Sequence, residues 1–160
     1  MASNDADSSY AEKPEQNTLP GCIFCKIASG SDPSTAIVFQ NERICIFKDI
    51  RPAAEFHFLA IPNHHIENVK SLTAADKPLL QELKQELVAV LRGKQIEPSN
   101  ASFGFHIPPF TSVKHLHMHA IAPTTSMGLI SRMIFRPNSM WFKTDDAILQ
   151  SLPSNAAENL

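Results

Sequence analysis

His115, His117 and His119 occupy alternate positions of one short apolar segment, His115-Leu116-His117-Met118-His119. Alternate residues of a β-strand project from the same face, so the three imidazoles form a row. Three uses compete for such a row. An exposed, idle histidine strand would waste β-propensity. A metal site is a second use, because imidazoles two residues apart can share one zinc ion. Chemistry on phosphorus is the third. A neutral imidazole attacks phosphorus and forms a phosphohistidine that water hydrolyses. Neighbouring imidazoles bind the phosphoryl oxygens and move a proton near neutral pH. That division of labour needs several histidines on one face.

The row needs a frame. Val113 before it and Ala120-Ile121-Ala122 after it extend the strand, and Pro123 ends it. Leu116, Met118 and Ile121 relate to the opposite layers and the core. Upstream, Cys22 to Ile27 reads as a short helix. Thr35–Gln40 and Arg43–Lys48 read as a hairpin with a tight Asn41-Glu42 turn. Glu55–Ile61 is a third strand closed by Pro62. Thr73 to Arg92 is the one long helix. Its stripe of Leu80, Leu83, Leu87, Val90 and Leu91 is core packing, and Thr73 with Asp76 forms a loose capping box. Ala101–Ile107 is a fourth strand. Leu129–Phe135 reads as a strand or a helix end, and Asp145–Leu152 as a short helix. The expected fold is α+β: an antiparallel sheet with one long helix and a short N-terminal helix.

The expected organisation is a disordered tail over residues 1–20, one domain over 21–152 and a frayed end over 153–160. A C-terminal extension starts at about residue 124. A formal net charge of -2 argues against a nucleic-acid surface. No segment is long and apolar enough to span a bilayer. Three cysteines, Cys22, Cys25 and Cys45, do not make a disulfide framework and favour a reducing compartment. With no signal pattern at the start, a cytoplasmic and nuclear location is the expectation.

Four blocks, in order, resemble one family. His115-Leu116-His117-Met118-His119-Ala120 is similar to the His-φ-His-φ-His-φ signature of the histidine triad family. Cys22-Ile23-Phe24-Cys25-Lys26-Ile27 resembles its opening helix. Phe47-Lys48-Asp49-Ile50-Arg51-Pro52 resembles its ribose-holding strand end. His57-Phe58-Leu59-Ala60-Ile61-Pro62-Asn63-His64-His65-Ile66 resembles its segment with the Ile-Pro pair. Within the family the chain is most similar to the Hint branch of nucleoside phosphoramidases, third subgroup. That subgroup's marks are Gly104-Phe105-His106-Ile107-Pro108-Pro109-Phe110 and an extension containing Trp141.

The resemblance implies hydrolysis of adenosine 5′-monophosphoramidate, AMP-lysine and aminoacyl-adenylates to AMP. His117 would be the nucleophile on the α-phosphorus, with His115 and His119 flanking it and His119 at the phosphate. His57 would support the row from the adjacent strand, and Ser112 would lie near the leaving atoms. Asp49 would accept the ribose hydroxyls, and Ile23, Phe24, Ile27, Ile50 and Leu59 would wall the purine pocket. The scheme requires no metal or organic cofactor. Zinc-binding relatives use positions matching Cys22, Cys25, His65 and His115. Here those four are either a structural zinc site or packed core residues, and both readings stay open. His106 and the Pro108-Pro109 loop stand where better-known members carry asparagine and a glycine-rich loop. The His106 form also resembles the aprataxin branch, so a DNA or RNA adenylate hydrolase is the alternative enzyme. A nucleotide-binding interaction scaffold is the non-enzymatic one. No basic patch or downstream Cys/His finger supports nucleic acid. Relatives commonly join subunits through one continuous sheet, which makes a homodimer or higher homo-oligomer the expectation.

Overall fold

Six short strands and four helices carry the histidine row. They are α1 (Ile23–Ala28), β1 (Ile37–Gln40), β2 (Ile44–Lys48), β3 (Phe56–Pro62), α2 (Lys77–Gly93), β4 (Ser102–His106), β5 (Met118–Ala122), α3 (Leu129–Ile134), β6 (Phe142–Thr144) and α4 (Asp145–Ser151). The structure, a computed structural model, describes residues 17–153. Most of the tail expected over 1–20, and residues 154–160 of the end, lie outside the described residues. One sheet runs β1-β2-β3-β5-β4-β6, antiparallel throughout. The expected α+β architecture is the one observed.

Period-two alternation divides this sheet into two chemistries. Ile44 and Ile46, Phe58 and Ala60, Met118, Ala120 and Ala122, and Phe103 and Phe105 face α2. There they meet the fully buried Leu80, Leu83, Leu87 and Leu91. Each such leucine contributes about 2 kcal/mol of burial, so this layer is the main source of stability. The other face carries Cys45, Phe47, Leu59 and Ile61 against α1. His57, His119 and Ile121 continue it. The face carrying His57 and His119 is therefore the reverse side of the principal core, and both faces are buried.

Several boundaries differ from expectation. The histidine strand starts at Met118, not Val113. His115 and His117 belong to an extended segment that leaves the sheet. There the Leu116 amide bonds the Ile66 carbonyl, and the His115 carbonyl is taken by the His117 ring. The long helix starts at Lys77, because residues 74–76 form a 3-10 turn. The expected partners do meet, with the Thr73 amide donating to Asp76 Oδ2 at 2.7 Å. Pro62 ends β3 from within it. The segment from Leu129 is a helix, and it buries no residue.

Strand β6 has no counterpart in the sequence reading, since three residues are too few for a period. It pairs with the outer edge of β4. Gly104 permits that approach: a Cβ there would collide with the Lys143 carbonyl and lie 2.7 Å from the Phe142 ring. Gly104 pairs with Thr144 on one side and with His119 on the other. The C-terminal extension is thus zipped onto the strand beside the histidines. It also occupies the β4 edge within the chain, so a sheet shared between subunits is not available there.

Candidate active site

Each histidine of the row meets a different set of partners. His115 lies beside α1. Its Nε2–H donates to the Pro62 carbonyl at 2.9 Å. That bond leaves Nδ1 as the lone-pair nitrogen, 3.3 Å from Cys22 Sγ and 3.5 Å from Cys25 Sγ. His65 Nδ1 lies 3.5 Å from Cys25 Sγ. The chain before α1 is tied to the same cluster. The Asn17 carbonyl accepts from the His65 amide at 2.7 Å, and the Leu19 amide donates to Cys25 Sγ at 3.4 Å. Burial pushes the Cys25 thiol up, with the neighbouring Cys22 adding to the effect.

His117 is 6% exposed, and its Nδ1–H donates to the His115 carbonyl. At 2.6 Å this bond sets the tautomer: Nε2 keeps its lone pair. Burial pulls this imidazole below its ordinary range, and the His115 carbonyl only partly offsets that. A neutral ring with a free Nε2 is the nucleophilic form. Phe24 of α1 packs edge-on against it at 5.2 Å between centroids.

His119 completes a relay that starts at a backbone amide. Ala53 N–H donates to His57 Nδ1 at 3.0 Å. A neutral His57 must then carry its proton on Nε2, and that atom lies 2.8 Å from His119 Nδ1. Asp49 Oδ2 is 3.4 Å from the same nitrogen. With Nδ1 accepting, His119 carries its own proton on Nε2. That atom is buried and has no partner among the described residues. A buried, unpaired N–H costs roughly 1–3 kcal/mol, and an anionic oxygen is the group that would satisfy it. Burial holds His57 down to about 4 and His119 well below the imidazole range. Both are neutral at pH 7.

The remaining residues divide. His106 joins the cluster, 5.1 Å from the His119 ring, with its Nδ1–H donating to the Trp141 carbonyl at 3.2 Å. Burial lowers it as well. Asp49 accepts from the Arg51 amide at 2.8 Å, which aims the carboxylate beside His57. Phe24, Ile27 and Leu59 pack together with Phe47. Ile23 is 44% exposed and Ile50 is 91% exposed, so those two stand at the rim and contribute no closed wall. Ser112 is exposed and is not brought into hydrogen-bond contact with the histidines. Trp141 donates its indole N–H to the Met133 carbonyl at 2.8 Å.

Three participants were missed by sequence reasoning. The Ala53 amide is a backbone group with no sequence signal. Phe135 and Phe142 pack on His119 at 5.1 and 6.1 Å. Their only mark in the sequence is that they are large aromatics in a polar extension.

The four donors at Cys22, Cys25, His65 and His115 lie within 4.8 Å of one another. A tetrahedral zinc with sulfur and nitrogen ligands has S···N edges of about 3.6 Å. The observed separations of 3.3–3.5 Å and the free His115 Nδ1 fit that ion. The second donor group, Asp49, His57 and His119, does not fit as well. His57 Nε2 and His119 Nδ1 already share a proton in the relay.

Residues 21–134 match the family model described as "Scavenger mRNA decapping enzyme C-term binding". The mouse protein "Adenosine 5'-monophosphoramidase HINT3" is 37% identical over 157 residues, covering 91% of this chain and 89% of its own. The Xenopus tropicalis protein of the same description is 36% identical, covering 84% and 88%. Among solved structures, "HIT family hydrolase from Clostridium thermocellum Cth-393" superposes with a TM-score of 0.61 at 32% identity. That match covers 65% of this chain and 91% of that one.

Proposed function

The chain belongs to the histidine triad family, and from that membership we propose that it is an adenosine 5′-monophosphoramidase. It hydrolyses the phosphorus–nitrogen bond of adenylated amines, and the same scheme extends to aminoacyl-adenylates. The observation that carries the reading is the pair of opposed tautomers: a bare Nε2 on His117 beside an unpaired Nε2–H on His119. One nitrogen attacks and the other binds the oxygen that gains charge.

His117 Nε2 bonds to the α-phosphorus as the phosphorus–nitrogen bond to the amine breaks. A proton from solvent passes to the departing nitrogen, and the attacking water of the second step returns one. Water then adds to phosphorus, the His117–phosphorus bond breaks, and AMP leaves with His117 neutral again. Summed over both steps, one water supplies the amine's proton and the phosphate's new oxygen. Throughout, the His115 carbonyl holds the proton on His117 Nδ1 and stabilises the cationic adduct. The Ala53–His57 bond keeps His119 as a donor. Asp49 takes the ribose hydroxyls, and the cluster of Phe24, Ile27 and Leu59 takes the base. The test is release of AMP from adenosine 5′-phosphoramidate by the purified chain, with 5′-adenylated DNA as comparison. Faster turnover of the DNA would replace this reading by end repair.

Cys22, Cys25, His65 and His115 would hold a structural zinc that braces α1 against the histidine segment and takes no part in the reaction. Metal analysis of the purified protein is expected to find close to one equivalent of zinc. Cys22→Ala with Cys25→Ala should lose it and lower the melting temperature by on the order of 10 °C. Less than a tenth of an equivalent in the unmodified protein would remove the site.

We extend the reading to a homo-oligomer in the cytoplasm and nucleus. Three free cysteines support a reducing compartment. Leu129, Ile130 and Met133 on α3, with Met140 beyond it, are 64–84% exposed and offer an apolar face to a second subunit.

A further inference from the structure

Phe135 has two sides. One packs on the histidine cluster, with ring centroids 5.0 Å from His106, 5.1 Å from His119 and 5.3 Å from His57. The other lines a cavity of about 780 Å³ between the C-terminal extension and the β4 end of the sheet. That volume lies in the range of sites that hold small organic groups, roughly 300–1,000 Å³. The cavity has no part in the reaction as derived above.

We propose that Phe135 is a gate setting leaving-group size, and that the cavity behind it receives the organic substituent of the leaving amine. The inference rests on the phosphoramidase reading. Three observations carry it. First, the unpaired His119 Nε2 marks where a phosphoryl oxygen must arrive, and Phe135 borders that spot. The nucleoside is assigned to the side of Phe24, which packs on His115, His117 and Phe47 and shares none of these partners with Phe135. A substituent that passes His119 away from the nucleoside meets Phe135.

Second, the helix that ends at Phe135 is lightly held. Helix α3 buries no residue. Its side-chain ties are Arg132 Nε–H to the Met127 carbonyl, a longer bond to the Thr125 carbonyl, and the Trp141 indole to the Met133 carbonyl. Few buried contacts mean a low free energy of local displacement. Third, the cavity's chemistry selects its guest. Lys84 is paired with Asp145 at 2.7 Å, and Arg132 is committed to backbone carbonyls. Asp146 balances Arg132, so no net charge is offered. Phe103, Met127 and Phe135 supply apolar wall. An uncharged aryl or alkyl group fits, whereas an anionic one such as a nucleic-acid strand does not.

The experiment compares kcat/KM for adenosine 5′-phosphoramidate and its tryptamine conjugate in the full chain. Phe135→Ala should raise the tryptamine-to-ammonia ratio at least tenfold, with Phe135→Leu between it and the wild type. Thr124→Trp, which places a large ring in the cavity that Thr124 lines, should lower the ratio at least tenfold. Ratios that stay put in folded variants, or equal losses on both substrates, overturn the gate. If Phe135→Ala does not fold, the Thr124→Trp ratio decides alone. A wild type that cleaves neither compound instead overturns the phosphoramidase reading, and the gate with it.

Discussion

His117→Asn should lower kcat/KM for adenosine 5′-phosphoramidate by at least about 10⁴-fold. The loss should fall on chemistry, because the imidazole Nε2 is the protein atom that bonds to phosphorus in this scheme. Folding should be spared. An asparagine amide still donates toward the His115 carbonyl, the bond that now holds the ring at 2.6 Å. Nucleotide affinity should change little, since Asp49 and the Phe24–Leu59 cluster are untouched. The measurements are steady-state turnover, AMP binding and melting temperature on both proteins. Radiolabelled substrate quenched without acid should place label on the peptide carrying residues 115–119 of the wild type alone. Activity within tenfold of wild type would sink the nucleophile assignment. So would turnover with no label on that peptide.

The second large effect is on stability against acid, and its sign follows from the buried imidazoles. His57 titrates at about 4 in the folded chain against an ordinary value of 6.5, chiefly because burial penalises the charged ring. The Asp49 carboxylate pulls it partly back, while His106 and His117 push it further down. His119 is driven down by burial and by His117, His57 and His106 around it. Below pH 6.5 the unfolded chain binds protons that the folded chain refuses. Stability from these two groups is therefore complete above pH 6.5 and is lost as pH falls toward 4. At pH 5 the loss from His57 is on the order of 2 kcal/mol, and His119 adds to it in the same direction. The melting temperature should drop on the order of 10 °C between pH 7 and pH 5. In the His57→Gln, His119→Gln double variant that pH slope should be markedly shallower. Equal slopes in the two proteins would mean these rings are not buried neutral.

The same relay would suit the proposed reaction to neutral pH. His117 stays unprotonated because burial penalises its charged form, and His119 stays a donor because a backbone amide dictates the tautomers. Neither property belongs to an imidazole in water, where the ring is half charged near pH 6.5 and exchanges tautomers freely.

Much of this was readable before any coordinates. Alternation of His115, His117 and His119 with Leu116 and Met118 placed the row on one face. The 3.6-residue recurrence of Leu80, Leu83, Leu87 and Leu91 named the helix that covers the other. Both signals are local periodicities, which survive in a linear string because the partner layer demands them at every turn. The types Cys22, Cys25, His65 and His115 were also visible as a set.

Other features exist only once the chain has closed on itself. The segment of His115 and His117 outside the sheet is held by the Pro62 and Ile66 carbonyls, which accept from His115 and Leu116 at least 50 positions away. The Ala53 amide has no side chain to announce it. Ile50 and Ser112 matched a motif yet project into solvent, because a motif records residue type and not direction. Strand β6 rests on the missing Cβ of Gly104, a contact between segments almost forty residues apart. A sequence carries what repeats along the chain: the histidine row and the layer that supports it. Tautomer, exposure and the reach of the C-terminal extension are set by which distant groups meet, and only tertiary packing chooses those.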